Sequence, residues 1–245
     1  MMLRWAGLIA FAVVLGVVFV NLGQWQLRRL DERKAHNEMV RAAEAAPVAD
    51  WPTWFEAPVG DEAEYHQVRV RGTYDPDHQF VVRNRNDGDL RGYEIVTPLR
   101  VADGRTLLVN RGLLPIAAGQ QIPDVAPPPP TGVVEVIGQV RADEQGGPGA
   151  EVPDAGRVRV INTTRMAETL PYPIVNGWLA MQEQQPAAEG EFRPVKPEEL
   201  TEGPHLSYAI QWFIFTAIGV IGTIVFIRAD LRDRRKARAQ ASPDR

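Results

Sequence analysis

His205, Tyr208, Trp212 and Phe215 are the residues whose types and spacing come nearest to a chemistry. Successive gaps of three, four and three residues set them on one face of a helix. A neutral imidazole above an aromatic wall is a donor set for haem iron: the nitrogen binds axially and the rings pack on the porphyrin. The same residue types also form the aromatic belts where helices cross a membrane surface. Spacing alone leaves both readings open.

Other chemistries fall away on composition. The 245 residues contain no cysteine, which excludes a disulfide scaffold, a thiolate zinc site, an iron–sulfur cluster, a cysteine nucleophile and a dithiol copper carrier. The only serines are Ser207, at the mouth of an apolar stretch, and Ser242, in a charged tail, and neither sits in a Ser–His–Asp pattern. His36, His66, His78 and His205 form no H-x-H or H-x-x-x-H pair. Asp75-Pro76-Asp77-His78 has the residue types of a metal site, but Asp-Pro-Asp is first a turn former. Gly146-Gly147-Pro148-Gly149 opens no helix and is no phosphate loop. The net charge of −4 gives no affinity for nucleic acid. No residue pattern demands catalysis, so the chain reads as a non-enzyme.

The elements that must position His205 are apolar. Trp5 to Leu27 and Leu206 to Ile227 are free of charge for 23 and 22 residues. Each is about 33 Å long as a helix, against a hydrocarbon core of roughly 30 Å. The first is not followed by an A-x-A-like cleavage site and ends in Asn21-Leu22-Gly23-Gln24-Trp25-Gln26-Leu27, so it reads as a span and not as a signal peptide. The tail after Ile227 carries Arg228, Arg232, Arg234, Arg235, Lys236, Arg238 and Arg245, which places it in the cytoplasm. Arg28, Arg29, Arg33 and Lys34 oppose that rule from the other side. The segment Arg28 to His205 holds 19 basic and 28 acidic residues, a net of −9, and has no electrostatic reason to lie on the cytoplasmic leaflet. The expected layout is a cytoplasmic N-terminus with transmembrane helix 1 over 1–27, an extracytoplasmic β-rich domain over 28–204, transmembrane helix 2 over 205–227 and a basic cytoplasmic tail over 228–245. In the bilayer, Ala12/Gly16 and Gly219/Thr223 are small-residue steps for close helix packing, and Asn21 and Gln24 are polar groups in need of partners.

The middle segment reads as strands. His66 to Arg71 alternates with period 2, and further strands are expected at 79–83, 93–99, 106–110, 133–140 and 157–161. Asn86-Asp87-Gly88-Asp89 and Ala102-Asp103-Gly104 carry the Asp-Gly signal of tight hairpins. A helix is expected at Thr164–Leu170, capped by Thr163 or Thr164, and Arg33–Ala46 continues the first span. Pro127–Pro130, Gln145–Gly156 and Pro186–Pro204 are loops. The fold class is therefore an α+β membrane protein: two transmembrane helices flanking a mainly antiparallel β domain, sandwich or barrel.

Five blocks, in order, resemble one family. Gly23-Gln24-Trp25-Gln26-Leu27-Arg28-Arg29-Leu30 with Lys34 is similar to the signature closing the first helix of the surfeit locus protein 1 family. Val70-Arg71-Gly72-Thr73-Tyr74-Asp75, Gly92 to Leu99 and Val109-Asn110-Arg111-Gly112 resemble its internal blocks, and His205 to Phe213 its second-helix signature. Leu113 departs from the pattern, where Trp is common. The resemblance implies an assembly factor for cytochrome c oxidase in the cell membrane, holding haem a and assisting its delivery to subunit I, with haem a synthase as a further partner. It implies His205 as the haem-iron ligand, with Tyr208 and Trp212 beside it. Arg28 and Arg29 suit the propionates, because guanidinium binds carboxylate bidentately. Arg71 and Arg111 could do the same, though their default role is to tie strands together. A cofactor-free scaffold that stabilises oxidase intermediates is the rival reading.

Overall fold

The computed structural model describes residues 2–240 apart from 89, 118, 124, 188, 189, 191, 197 and 198, with side chains from Trp5 to Ala237 apart from Pro148. The side chains of Arg4 and Arg238, residues Ser242, Asp244 and Arg245, Asp89 of the first Asp-Gly turn and parts of the 186–204 return lie outside the described residues. The chain divides into two compact units: residues up to Glu38 together with Leu200 onward, and Met39–Glu199.

Helix α1 spans Met2–Ala45 without a break. Its polar continuation carries no proline before Pro47, which biases Ala46 away from helix and ends it. Helix α4 spans His205–Gln240. The Tyr208 amide donates to the Pro204 carbonyl at 3.1 Å, so Pro204 caps α4 and is not its first helical residue. Both helices are long and apolar enough to cross a membrane. Their apolar side chains stay open, Val14 at 64% and Ile218 at 61%, whereas the core helix of a soluble protein would bury them.

The other unit is a β-domain of β1 (Ala49–Asp50), β2 (Gln67–Tyr74), β3 (Phe80–Asp87), β4 (Leu90–Val101), β5 (Thr106–Pro115), β6 (Val133–Arg141), β7 (Arg157–Val158) and β8 (Trp178–Gln185). The order β1-β2-β6-β8-β5-β4-β3-β7, with a further pairing of β2 to β4, closes five strands into a barrel. All pairings within this ring are antiparallel except β5 with β8. Of the two alternatives, sandwich and barrel, the fold takes the barrel. Short helices α2 (Pro148–Glu151) and α3 (Thr163–Ala167) lie in the long β6–β8 connection. The cap of α3 is Asn162, whose side-chain oxygen accepts from the Arg165 amide at 3.0 Å, one residue ahead of the threonines. Thr163 is instead drawn to Asp143, which accepts from its amide at 2.8 Å and its hydroxyl at 2.6 Å.

Alternation in β2 puts Val68, Val70 and Tyr74 inside the barrel, with Leu99, Leu107, Val109, Val134, Val136, Val140, Leu179 and Met181. Full burial of such side chains is worth about 1.5–3 kcal/mol each, which makes this core the main source of the domain's stability. Strands β4 and β5 are buried on both faces: a second cluster around Phe80, Val96, Leu108, Met166 and Trp178 covers their outer side. Closure depends on Gly72, which pairs with Val101. A Cβ there would lie 2.5 Å from the Arg100 carbonyl oxygen and 2.9 Å from Leu99 Cγ.

Gly72→Val is therefore expected to pry β2 from β4 and cost about 3 kcal/mol or more, by overpacking and a lost ladder. Thr73→Val, on the exposed face, is expected to be neutral. Thermal melting of the full chain in detergent checks this, and equal midpoints would refute the role of Gly72.

Candidate functional site

In the helix pair, α1 and α4 meet closely where Phe213 lies over Gly23: a Cβ on Gly23 would sit 2.7 Å from the ring. Just below, Phe19 of α1 packs on Trp212 and Phe215 with centroids at 5.4 and 5.9 Å. Trp212 and Phe215 stand edge to face at 5.9 Å. Ala12, Gly16, Gly219 and Thr223 line one narrow cleft between the helices, as small-residue steps should. At one end the Trp5 indole donates to Asp230 at 2.9 Å, and Arg234 binds the same carboxylate at 2.7 Å. Towards the other end Lys34 lies 3.9 Å from Glu202.

His205 is part-buried about two turns from Trp212 along α4, and its Nδ1 lies 2.8 Å from Gln26 Oε1. A carbonyl oxygen only accepts, so Nδ1 carries the proton and the neutral ring keeps its lone pair on Nε2. That is how metal-binding imidazoles are held: one nitrogen anchored, the other presented. Gly203 precedes it closely: a Cβ there would sit 3.5 Å from Nε2, in ordinary van der Waals contact. Its φ of +65° suits glycine. The donor set thus fits an axial ligand to haem iron.

The neighbouring residues divide. Tyr208 is exposed and Trp212 half-buried on the His205 face of α4. Arg28 is exposed and has no ion pair among the described residues, whereas Arg29 binds Glu32 on its own helix at 2.6 Å. Asn21 donates to its own Val17 carbonyl at 2.7 Å, and Gln24 is exposed. An apolar groove of about 680 Å³ runs between the helices, walled by α1 from Ile9 to Gln24 and by α4 from Val220 to Ile227. His205 is not in its wall, so the rings nearest in sequence to the imidazole are those of its own helix. The Gln26 contact carries no sequence signal, because the stagger of two antiparallel helices is not written in either one.

The β-domain holds the other residues with chemical potential, and there they serve the fold. Asp75 opens a single turn and its carboxylate accepts from Arg100 at 2.5 Å, Tyr172 at 2.6 Å and His78 at 2.9 Å. The turn reading of Asp75–His78 thus holds, and no cluster of metal-ligating side chains occurs among the described residues. Burial pushes the Asp75 carboxyl up, but the hydrogen bonds from Tyr172, Arg100 and His78 outweigh it and hold it at about 2.

Arg111 is fully buried, with its guanidinium 4.4 Å from the Phe192 ring. It donates to Gln79 and to the Pro127 and Pro128 carbonyls at 3.0, 2.9 and 3.1 Å. Burial lowers its pKa to about 10. Its neighbours in the Asn-Arg-Gly block are equally occupied: Asn110 donates to Glu94 at 2.9 Å, and Gly112, at φ +113°, lies where the Arg193 backbone crosses. Burial raises the Glu94 carboxyl, against the pull of Arg85 at 3.0 Å. Arg71 lies 3.7 Å from Glu135 across the β2–β6 ladder. Arg71 ties two strands together, whereas Arg111, expected to do the same, holds loop residues on the barrel instead.

Comparisons with known proteins point to one family. A family model described as the SURF1 family matches residues 13–217. An uncharacterized SURF1-like protein of Mycobacterium tuberculosis is 29% identical over 231 residues, covering 92% of this chain and 83% of that one. A Mycobacterium bovis protein of the same description matches to the same extent. A SURF1-like protein of Rickettsia bellii is 31% identical over 98 residues, 39% of either chain.

The Asp75 cluster gives a pH prediction. With its folded pKa near 2, below the ordinary carboxylate value of 3.8, Asp75 lends stability that is complete above that value and is lost as pH falls towards 2. Asp75→Asn is expected to lower the urea midpoint at pH 7 and to flatten its decline between pH 5 and pH 2.5. A variant with the wild-type acid slope would remove Asp75 as the titrating group.

Proposed function

This chain belongs to the SURF1 family, and on that premise we propose that it is a non-enzymatic assembly factor for cytochrome c oxidase that holds haem a at one end of its helix pair and presents it to subunit I. In this reading the two helices are transmembrane in the cell membrane, residues 28–204 are extracytoplasmic and the basic tail from 228 is cytoplasmic. Haem a synthase is the natural donor, since it releases the product this protein would carry.

The observation that carries the reading is the His205–Gln26 bond at 2.8 Å, which holds the ring through Nδ1 and leaves Nε2 without a hydrogen bond among the described residues. When bound, haem a supplies the redox cofactor that the oxidase needs. The chain's own residues do the rest. Gln26 orients the imidazole. Tyr208 and Trp212 offer aromatic faces, and Arg28 and Arg29 are placed near the same helix end to neutralise propionates. The aromatic cluster favours a second reading. Trp212 and Phe215 already fill each other's space with Phe19, so the His205–Gln26 bond can also be the outer rung of a helix–helix zipper in a cofactor-free scaffold.

The test is the absorption spectrum of the detergent-purified chain, co-expressed with a haem a synthesis pathway. A stoichiometric low-spin band is expected, absent in His205→Ala at unchanged melting temperature. Gln26→Leu is expected to weaken haem a affinity by roughly 10–100-fold, the usual effect of losing a partner that orients a ligand. A colourless protein that still co-purifies with subunit I would sink the haem reading and leave the scaffold.

A further inference from the structure

Helix α4 does not stop where its apolar stretch ends; it runs on through Arg228, Arg232, Arg235 and Lys236 as one rigid element. Steps of four, three and one residues keep these cations within a sector of about 100°. Asp230 and Arg234 lie on the opposite side, where they engage each other and Trp5 of α1. The stripe therefore turns away from α1. It extends the face that carries Ile221 and Val225, which are 60% and 59% exposed and lie outside the groove between the helices. All four cations are exposed, and none makes an ion pair or hydrogen bond among the described residues. Asp233, exposed on the flank, is the one acidic side chain beside them among the described residues.

We propose that this stripe binds the headgroups of anionic phospholipids where α4 leaves the bilayer. It needs α4 to span the membrane and is independent of whether haem binds. The lipid source is favoured by continuity. The side chains directly before the stripe on the same face are the ones that lipid tails would cover, so headgroups come next along the helix axis. From Arg228 to Lys236 the rise is about 12 Å, close to one Debye length, so each cation stands within reach of the surface charge. Long basic side chains there lay their stems on the apolar boundary and extend their charges into the headgroup layer. Trp5, held by Asp230, marks the same level as interfacial. Each basic residue near an anionic surface strengthens attraction roughly fivefold.

The experiment is native mass spectrometry of the full chain in detergent, titrated with dioleoyl phosphatidylglycerol or dioleoyl phosphatidylcholine. Wild type is expected to retain the anionic lipid at least tenfold better. R228Q/R232Q/R235Q/K236Q is expected to lose that preference with its melting temperature unchanged, and R228K/R232K/R235K to keep it, because charge and not fork geometry is what the surface reads. Equal retention of both lipids by wild type, or an undiminished preference in the Gln variant, would overturn the proposal. So would a Gln variant that keeps its lipids and instead loses an acidic protein partner.

Discussion

The pairing of β2 with β4 turns a sheet into a barrel, and the rest of the domain depends on it. Without that seam β2 would expose one row of unpaired amides and carbonyls, and the Val68, Val70 and Tyr74 side chains would lose their enclosure. The seam is possible because Gly72 has no side chain where the Arg100 carbonyl must come. Closure also sets the context for the outer layer. Once β4 and β5 face a filled interior, their other face needs a cover, and the β6–β8 connection with α3 supplies Val158, Ile161 and Met166. Charge is then taken inside only with partners in place: Glu94 beside Arg85 and Asn110, Asp75 beneath three donors.

Arg111 is the unusual member of that group. Its charge is answered by carbonyl dipoles and an aromatic face, with no carboxylate in direct contact among the described residues. A buried cation of this kind is costly unless its surroundings are fixed beforehand. The proline run at 127–130 is suited to that task, since its backbone has little freedom left to lose and Pro127 and Pro128 have no amide hydrogen to satisfy. The Asn-Arg-Gly block thus reads as a tool for pinning a loop over the barrel.

Much of this is legible in the sequence because the physics is local. Two uncharged stretches, Asp-Gly turns and period-2 alternation mark both helices and the strands from β2 to β6. Strand β8 escapes because Trp-Leu-Ala-Met-Gln-Glu-Gln-Gln runs from an apolar half into a polar half, a consequence of its first half being buried on both faces. The two-residue strands β1 and β7 are set by their neighbours and have no pattern of their own. His205 is legible as a residue, and its environment is not. Whether Gln26 or Leu22 stands opposite depends on the stagger of α1 against α4, which Gly23 and Phe213 decide by shape. Arg111 is misread as a strand tie, because its proline carbonyl partners belong to a loop whose path no periodicity reveals.

The parallel pairing of β5 with β8 has a temporal side. Strand β8 fits between β5 and β6, both of which are made earlier in the chain, and it enters from Trp178 onward. Until then β5 and β6 each carry an open edge, and the ring is a curved strip of four strands. The contact that completes it joins residues about seventy positions apart, Leu108 to Trp178, so the loop-closure entropy falls on the last step and not the first. A nascent domain of this topology must wait, edges exposed, for the end of its own synthesis.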